Sequence, residues 1–185
     1  MELAVVFGKT GKDIQRSEAN QYIGGYGTYN NHDFLVHSIM SISFVSLTRV
    51  ALAIDMTARN MQDKAKKSGL PWSAAKGFDT FTPVSSLISK DQIPDPHNVN
   101  LWLTVDQELR QRGNTSDMIF SIPELIAYVS SIMTLEAGDV MLTGTPKGVS
   151  QLQHGQAVHA GLQLPDAPNT LAELKLLVQN RVGGY

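Results

Sequence analysis

The sequence predicts one mostly β domain with a few helices, of the α+β class, spanning residues 1–185. Three observations carry this. Several short apolar or alternating runs have strand length, two segments repeat at helical spacing, and no strand–helix–strand rhythm of a doubly wound sheet is present. A chain of 185 residues is long enough to bury a sizeable core in one domain.

The elements follow in order. Leu3 to Phe7 is a continuous apolar run closed by Gly8, the pattern of a buried strand. Lys9 to Arg16 is a polar loop. Ser17 to Tyr22 reads as a short helix capped by Ser17 and ended by Gly24-Gly25. Ala51 to Ile54 is a short strand that stops at Asp55. Thr57 is placed to cap a helix running to Lys67, which Gly69 and Pro71 close. On it Arg59, Gln62 and Lys66 share one face and Ala58, Met61 and Ala65 another, so the apolar face is expected to turn inward. Val99, Leu101, Leu103 and Val105 alternate with polar residues as in a half-buried strand, and Glu108 to Arg112 pairs back across a tight turn. Ser121-Ile122-Pro123-Glu124 is a capping box with proline in the first turn, and Leu125, Ile126, Val129, Ile132 and Met133 form the core-facing stripe behind it. Val140 to Thr143 is a strand running into the turn "GTPKG". From Gln163 the pattern fades until Leu171 to Val178, which fits a strand or a helix.

Composition narrows the chemistry. With no cysteine, disulfides, thiolate metal sites and a Cys nucleophile are excluded. A net charge of −2 gives no reason to expect nucleic acid or an anionic membrane. The longest apolar stretch, Phe34 to Leu47, holds a His and four Ser and is too short and polar to span a bilayer. The five histidines have no zinc-site spacing, and no phosphate loop, dinucleotide fingerprint or nucleophile elbow occurs.

Three charged residues stand out: Glu2 on an apolar strand, Asp55 where a strand hands over to a helix, and Lys76 before "GFDTFTP". Singly, each has an ordinary reading as a solvated terminal residue, a helix cap and a loop lysine. Together, two carboxylates at strand ends suit a hard divalent cation, and a lysine with nearby Arg and Gln donors suits an anionic, oxygen-rich substrate. The turn "LTGTPKG" offers backbone N–H groups and Thr hydroxyls as an anion or carbonyl clamp, or is only a hairpin loop.

The stretches "ELAVVFGK", "YIGGY", "ALAIDMTARNMQ", "KKSGLPWSAAKGFDTFTPVS", "IPDPHNVNLWLTVDQELRQ" and "MIFSIPELIAYVSSIMTLEAGDVMLTGTPKGV" occur in that order. Together they resemble the fumarylacetoacetate hydrolase superfamily. The resemblance implies a mixed β-roll and a metal-assisted enzyme acting on small β-dicarbonyl acids. It implies Mg²⁺ or Mn²⁺ held by Glu2 and Asp55, Lys76 as the catalytic residue, and Arg59, Gln62 and Thr145 as substrate-binding residues. Thr80 is a weaker carry-over near the metal's outer shell. Acylpyruvate hydrolysis, oxaloacetate decarboxylation and oxaloacetate tautomerisation can all pass through a pyruvate enolate, so one site can serve each. A homodimer and a mitochondrial or cytosolic setting are also implied.

Departures from the family pattern set further expectations. The first Glu of the family's E-x-E pair would precede Met1, and its His-x-x-Glu dyad lies further upstream, so the chain is expected to be incomplete at its N-terminus and impaired. Residues 27–50 separate "YIGGY" from "ALAIDMTARN" and read as an insertion, a retained intron in preference to an evolved lid. Asp106-Gln107 replaces the Asn-Gly turn, Gly148-Val149-Ser150 replaces GVG, and 163–185 is a divergent tail. The alternatives are a catechol-pathway isomerase or decarboxylase of the same family, or a non-catalytic fragment that pairs with full-length subunits.

Overall fold

The computed structural model describes residues 1–24 and 49–180. Two four-stranded antiparallel sheets carry the fold. The first has the order β3 (Ile88–Ser89), β2 (Arg49–Ala53), β1 (Glu2–Val6), β6 (Val140–Leu142). The second has the order β5 (Glu108–Asn114), β4 (Asn100–Val105), β7 (Ala157–Gln163), β8 (Thr170–Leu177). Among the described residues three α-helices accompany them: α1 (Arg59–Lys67), α2 (Ser73–Lys76) and α3 (Ile122–Ile132). The mostly β prediction holds.

The main core combines Leu3, Val5, Val50 and Leu52 of the first sheet with Leu101, Leu103, Val105, Val158, Ala160 and Leu162 of the second. β1 lies inside its sheet, which is why it reads as an unbroken apolar run. Its other face is built small: Ala4 meets Ala51 and Ala53 under Val84, Leu87 and Leu142. Beyond β1, Gly8 and Gly24 cross in contact, with Gly8 N–H donating to Tyr22 O at 3.0 Å and Gly24 N–H to Val6 O at 2.9 Å. A Cβ on Gly24 would fall 1.9 Å from Gly8 Cα, so Gly8 and Gly24 mark a crossing that tolerates no side chain.

Several expectations change. β2 starts at Arg49, two residues earlier than predicted, with Arg49 and Val50 opposite Val6 and Val5; the rest of the predicted insertion lies outside the described residues. Ser17 to Tyr22 holds only a 3-10 turn, Ala19–Gln21, without a Ser17 cap. Thr57 does not cap α1; the cap position is Ala58, and no side chain caps it. The buried residue of α1 is Gln62, so the helix turns a polar side chain inward, against the expected apolar face. α3 has the predicted capping box between Ser121 and Glu124, but buries Ile122, Ile126 and Ser130 and leaves Ile132 and Met133 more than half exposed. Its inward polar residue is used: Ser130 Oγ accepts the Ile14 N–H at 3.0 Å, tying the helix to the loop after β1. The segment near 171–178 is a strand, β8, paired along β7. Among the described residues no helix is long and apolar enough to cross a membrane.

The β4–β5 turn carries its unusual sequence at a cost. Asp106 and Gln107 both have positive φ, 50° and 70°, the signature of a mirror-image hairpin turn. Asp106 is anchored there by its carboxylate, which accepts the Ala157 N–H at 2.8 Å and Gln156 Nε2 at 3.0 Å. Among the described residues, no hydrogen bond to the Gln107 side chain offers such compensation. Gln107→Gly is therefore expected to stabilise the protein by about 0.5–1 kcal/mol, read as a higher urea midpoint at unchanged slope.

Candidate active site

The site forms where β1 and β2 end together. Glu2 pairs with Ala53 in the antiparallel register, which carries the chain after Ala53 past the start of β1. Asp55 follows directly and is held from its other side, because Ile54 N–H donates to Pro83 O (3.1 Å) and Met56 N–H to Phe81 O (2.9 Å). The loop "FDTFTP" thus continues the sheet edge and fixes the Asp55 backbone. The loop is itself strained: Thr80, a β-branched residue, has φ 68°, and Phe81 N–H closes the turn on Phe78 O at 3.1 Å.

Lys76 is the last residue of α2. That helix is seated by the buried Ala75, whose carbonyl accepts the Ala58 N–H at 2.9 Å. The Lys76 ammonium is paired with Asp55 Oδ2. Glu2, although charged and at the start of its strand, is only 5% exposed; its reading as a solvated terminal residue is overturned. Glu2 Oε2 accepts the Gly144 N–H at 2.7 Å. Burial pushes the Glu2 carboxyl above the usual carboxylate range, against the Gly144 hydrogen bond; the Asp55 charge raises it further and Lys76 lowers it. Glu2, Asp55 and Lys76 therefore act on one another electrostatically. Burial also holds the Met1 ammonium below its ordinary range, opposed by the same two carboxylates.

The turn after β6 closes the site from the β6 side. Thr143 Oγ1 donates to Leu3 O (2.9 Å) and Thr145 Oγ1 to Met1 O (2.9 Å), so the turn is stitched along the first residues of β1. The segment read as an anion or carbonyl clamp, or else a hairpin loop, spends the Gly144 N–H on Glu2 and both Thr hydroxyls on backbone carbonyls. Arg59 and Gln62 lie in the first turn of α1, with Arg59 Nη1 donating to Gln62 Oε1 at 2.8 Å. α1 is tied to α2 through Ala58, but among the described residues no hydrogen bond joins Arg59 or Gln62 to the Glu2–Asp55–Lys76 group. Of the predicted site residues, Glu2, Asp55 and Lys76 are brought together, Thr145 joins them through β1, and Arg59 and Gln62 stand beside α2.

Gln111 joins the turn without having stood out in the sequence. It is 6% exposed, and its Nε2 donates to Thr145 Oγ1 (3.0 Å) and Pro146 O (2.8 Å). The available signal was a strand, "ELRQRGN", with hardly an apolar residue.

The donor set bears on a cation. Glu2 and Asp55 supply oxygen only, each with one carboxylate oxygen committed and one not, which fits a hard divalent ion that keeps further positions for water or substrate oxygens. Among the described residues no group of three or more His, Asp or Glu gathers at one point. The described histidines are engaged elsewhere. His97 Nε2 accepts the Ile122 N–H, His154 Nδ1 accepts the Asn180 N–H, and His159 meets Glu173 and makes a T-shaped contact with Trp102.

A two-sheet, mostly β domain with a buried carboxylate, a second carboxylate and a lysine at the paired ends of its central strands defines a class of oxygen-donor, anion-handling sites. Residues 48–174 match the fumarylacetoacetate (FAA) hydrolase C-terminal family, and the chain belongs to that family. It is 47% identical over 182 residues to an Arabidopsis thaliana protein named oxaloacetate tautomerase FAHD1, mitochondrial, covering 98% of this chain and 68% of that one. It is 46% identical over 162 residues to the Homo sapiens protein of the same name, covering 88% and 62%. Over 162 residues it is 44% identical to a Dictyostelium discoideum oxaloacetate decarboxylase, mitochondrial, covering 88% and 63%. The chain thus spans roughly two thirds or less of the length of these relatives. Among solved structures, a yeast fumarylacetoacetate hydrolase family protein superposes with a TM-score of 0.80 at 32% identity, covering all of this chain and 69% of that one. A fumarylpyruvate hydrolase from Pseudomonas aeruginosa, in complex with Mn²⁺ and pyruvate, superposes with a TM-score of 0.70 at 28% identity, covering 87% and 59%.

Proposed function

We propose that this chain carries the reaction centre of a divalent-metal-dependent oxaloacetate tautomerase or decarboxylase, with acylpyruvate hydrolysis as a related activity of the same site. The observation that carries the reading is the convergence of Glu2, Asp55 and Lys76 at the shared end of β1 and β2. Glu2 and Asp55 would hold Mg²⁺ or Mn²⁺, which supplies Lewis-acid polarisation of an α-keto acid when bound. The relatives' names support the oxaloacetate reactions and a mitochondrial setting, and the Mn²⁺–pyruvate complex of the Pseudomonas protein supports the cofactor and the ligand class.

The protein's own groups divide the work. Both oxaloacetate reactions build negative charge on the oxygen of a pyruvate-like enolate. Lys76 Nζ, held against Asp55, would supply a positive charge and a transferable proton to that oxygen. Asp55 keeps the ammonium aimed. Arg59, exposed on the first turn of α1 and braced by Gln62, would pair with the substrate's anionic end.

Metal binding is testable without turnover. Mn²⁺ at 100 times its dissociation constant is expected to stabilise the protein by about 2.7 kcal/mol, read as a raised Tm. Asp55→Asn should abolish that rise while the far-UV spectrum stays native. An equal Mn²⁺-induced rise in Asp55→Asn would remove Asp55 from the metal site.

A further inference from the structure

β5 is an edge strand of the second sheet, yet it turns a glutamine inward. The two-residue turn sets Val105 opposite Glu108 and Thr104 opposite Leu109. Regular pairing would then bring Arg110 opposite Leu103. Instead Leu103 meets Gln111, so Arg110 is the extra residue of a β-bulge. A one-residue slip exchanges the faces of every residue beyond it. The bulge is therefore what turns Gln111 onto the inner face, beside the buried Leu103.

Once there, Gln111 is fully used. Its Nε2 donates to Thr145 Oγ1 and Pro146 O, and its Oε1 accepts from the Met1 nitrogen at 3.0 Å. The backbone on either side is shaped for the same turn. A Cβ on Gly148 would lie 2.0 Å from the carbonyl oxygen of the bulge residue Arg110, and one on Gly113 would lie 2.8 Å from Pro146 Cβ. The segment Thr145–Gly148 thus rests on β5 at three places around the bulge. With its hydrogen given to Met1 O, the Thr145 hydroxyl is not a free donor. Among the described residues, no acceptor takes the backbone N–H of this exposed threonine.

We propose that Gln111 is a positioning residue for the Gly144–Pro146 turn. It acts through the Thr145 hydroxyl and the Pro146 carbonyl, keeps the Gly144 N–H on Glu2 and presents the Thr145 N–H to the carboxylate of the keto-acid substrate. The last clause rests on the function proposed above; the ordering of the turn does not.

The experiment uses the full chain with Gln111→Leu and Gln111→Glu, the latter keeping the shape but losing the amide donor should the former not fold. Amide exchange by mass spectrometry is expected to speed up at least about tenfold in the 143–146 segment, with β1 and β4 as protected as in the parent. With Mn²⁺, the KM for oxaloacetate is expected to rise about tenfold with kcat within about threefold. The double variant Gln111→Glu with Thr145→Val should be no worse than the poorer single variant. Unchanged exchange in the turn, equal loss of protection throughout β1 and β4, or additive KM effects in the double variant would overturn the proposal. If the parent chain turns over no oxaloacetate with Mn²⁺, the functional reading fails, and the exchange data alone decide whether Gln111 orders the turn.

Discussion

Lys76→Ala is expected to slow oxaloacetate tautomerisation and decarboxylation by about 10²–10³-fold in the presence of Mn²⁺, the scale of losing one preorganised charge stabiliser from a partly dehydrated site. Lys76 ends α2 and reaches Asp55 Oδ2, at a place set by Ala75 beneath it and by the Ala58–Ala75 hydrogen bond to α1. With the Met1 ammonium it is one of the two cations that lower the Glu2 carboxyl, so its removal leaves both carboxylates less compensated and would take away the proton assigned to the enolate oxygen. Because the interaction develops as charge builds on the enolate, kcat should fall with KM changed far less. Lys76→Met separates charge from bulk and should be as slow as alanine. The measurement is the initial rate of enol loss by ultraviolet absorbance and of pyruvate formation by a coupled assay. Parent-level rates in both variants would sink the assignment of Lys76.

Much of the first sheet and of the carboxylate–lysine group was legible in the sequence. β1 and β2 are short apolar runs in which a central strand leaves little alternative, and Asp55 stands where the apolar run stops. The β4 alternation and the Ser121–Glu124 capping box matched because each is a local rule obeyed locally. The misses share a different origin. β7, "AVHAGLQ", has two alanines and a glycine and becomes a strand because β4 and β8 flank it, so its signal lies in its neighbours and not in its own residues. Helical spacing put Ile132 and Met133 on a core stripe, but the helix ends as the core recedes, and Ser130 takes the inward position by accepting a hydrogen bond from Ile14. Gln111 was invisible for a stricter reason: a bulge decides which way it points, and nothing in "ELRQR" announces which residue is the extra one. Glu2 was visible as an oddity, but its burial depends on β6 and the Gly144 turn, more than 130 residues away in sequence.

Glu2→Gln should separate stability from function, in opposite directions. The Glu2 carboxyl is held above its ordinary range chiefly by burial, with Asp55 adding to the shift. In the unfolded chain the same group titrates normally. Below the ordinary carboxylate range it is protonated in both states, and its contribution to folding is fully present. As pH rises through the raised folded value, the folded protein must accept a buried charge beside Asp55, and that contribution is lost. The metal-free parent should therefore lose stability across this window, while Glu2→Gln, neutral throughout, should not. The Tm difference in favour of the variant should be small at acidic pH, grow as pH passes the folded value of Glu2, and level off above it. Mn²⁺ should invert the order at neutral pH, because a cation compensates the Glu2–Asp55 charge of the parent and the variant has lost one oxygen-anion ligand. Turnover in Glu2→Gln should fall by at least about 10²-fold, comparable to removing a preorganised electrostatic group. A stability that Glu2 keeps costing at neutral pH is the expected mark of a carboxylate retained for binding, since a glutamine could accept the same Gly144 hydrogen bond without the charge. A metal-free parent equal in Tm to Glu2→Gln at every pH, with an identical response to Mn²⁺, would show that the buried carboxylate neither strains the fold nor holds the ion.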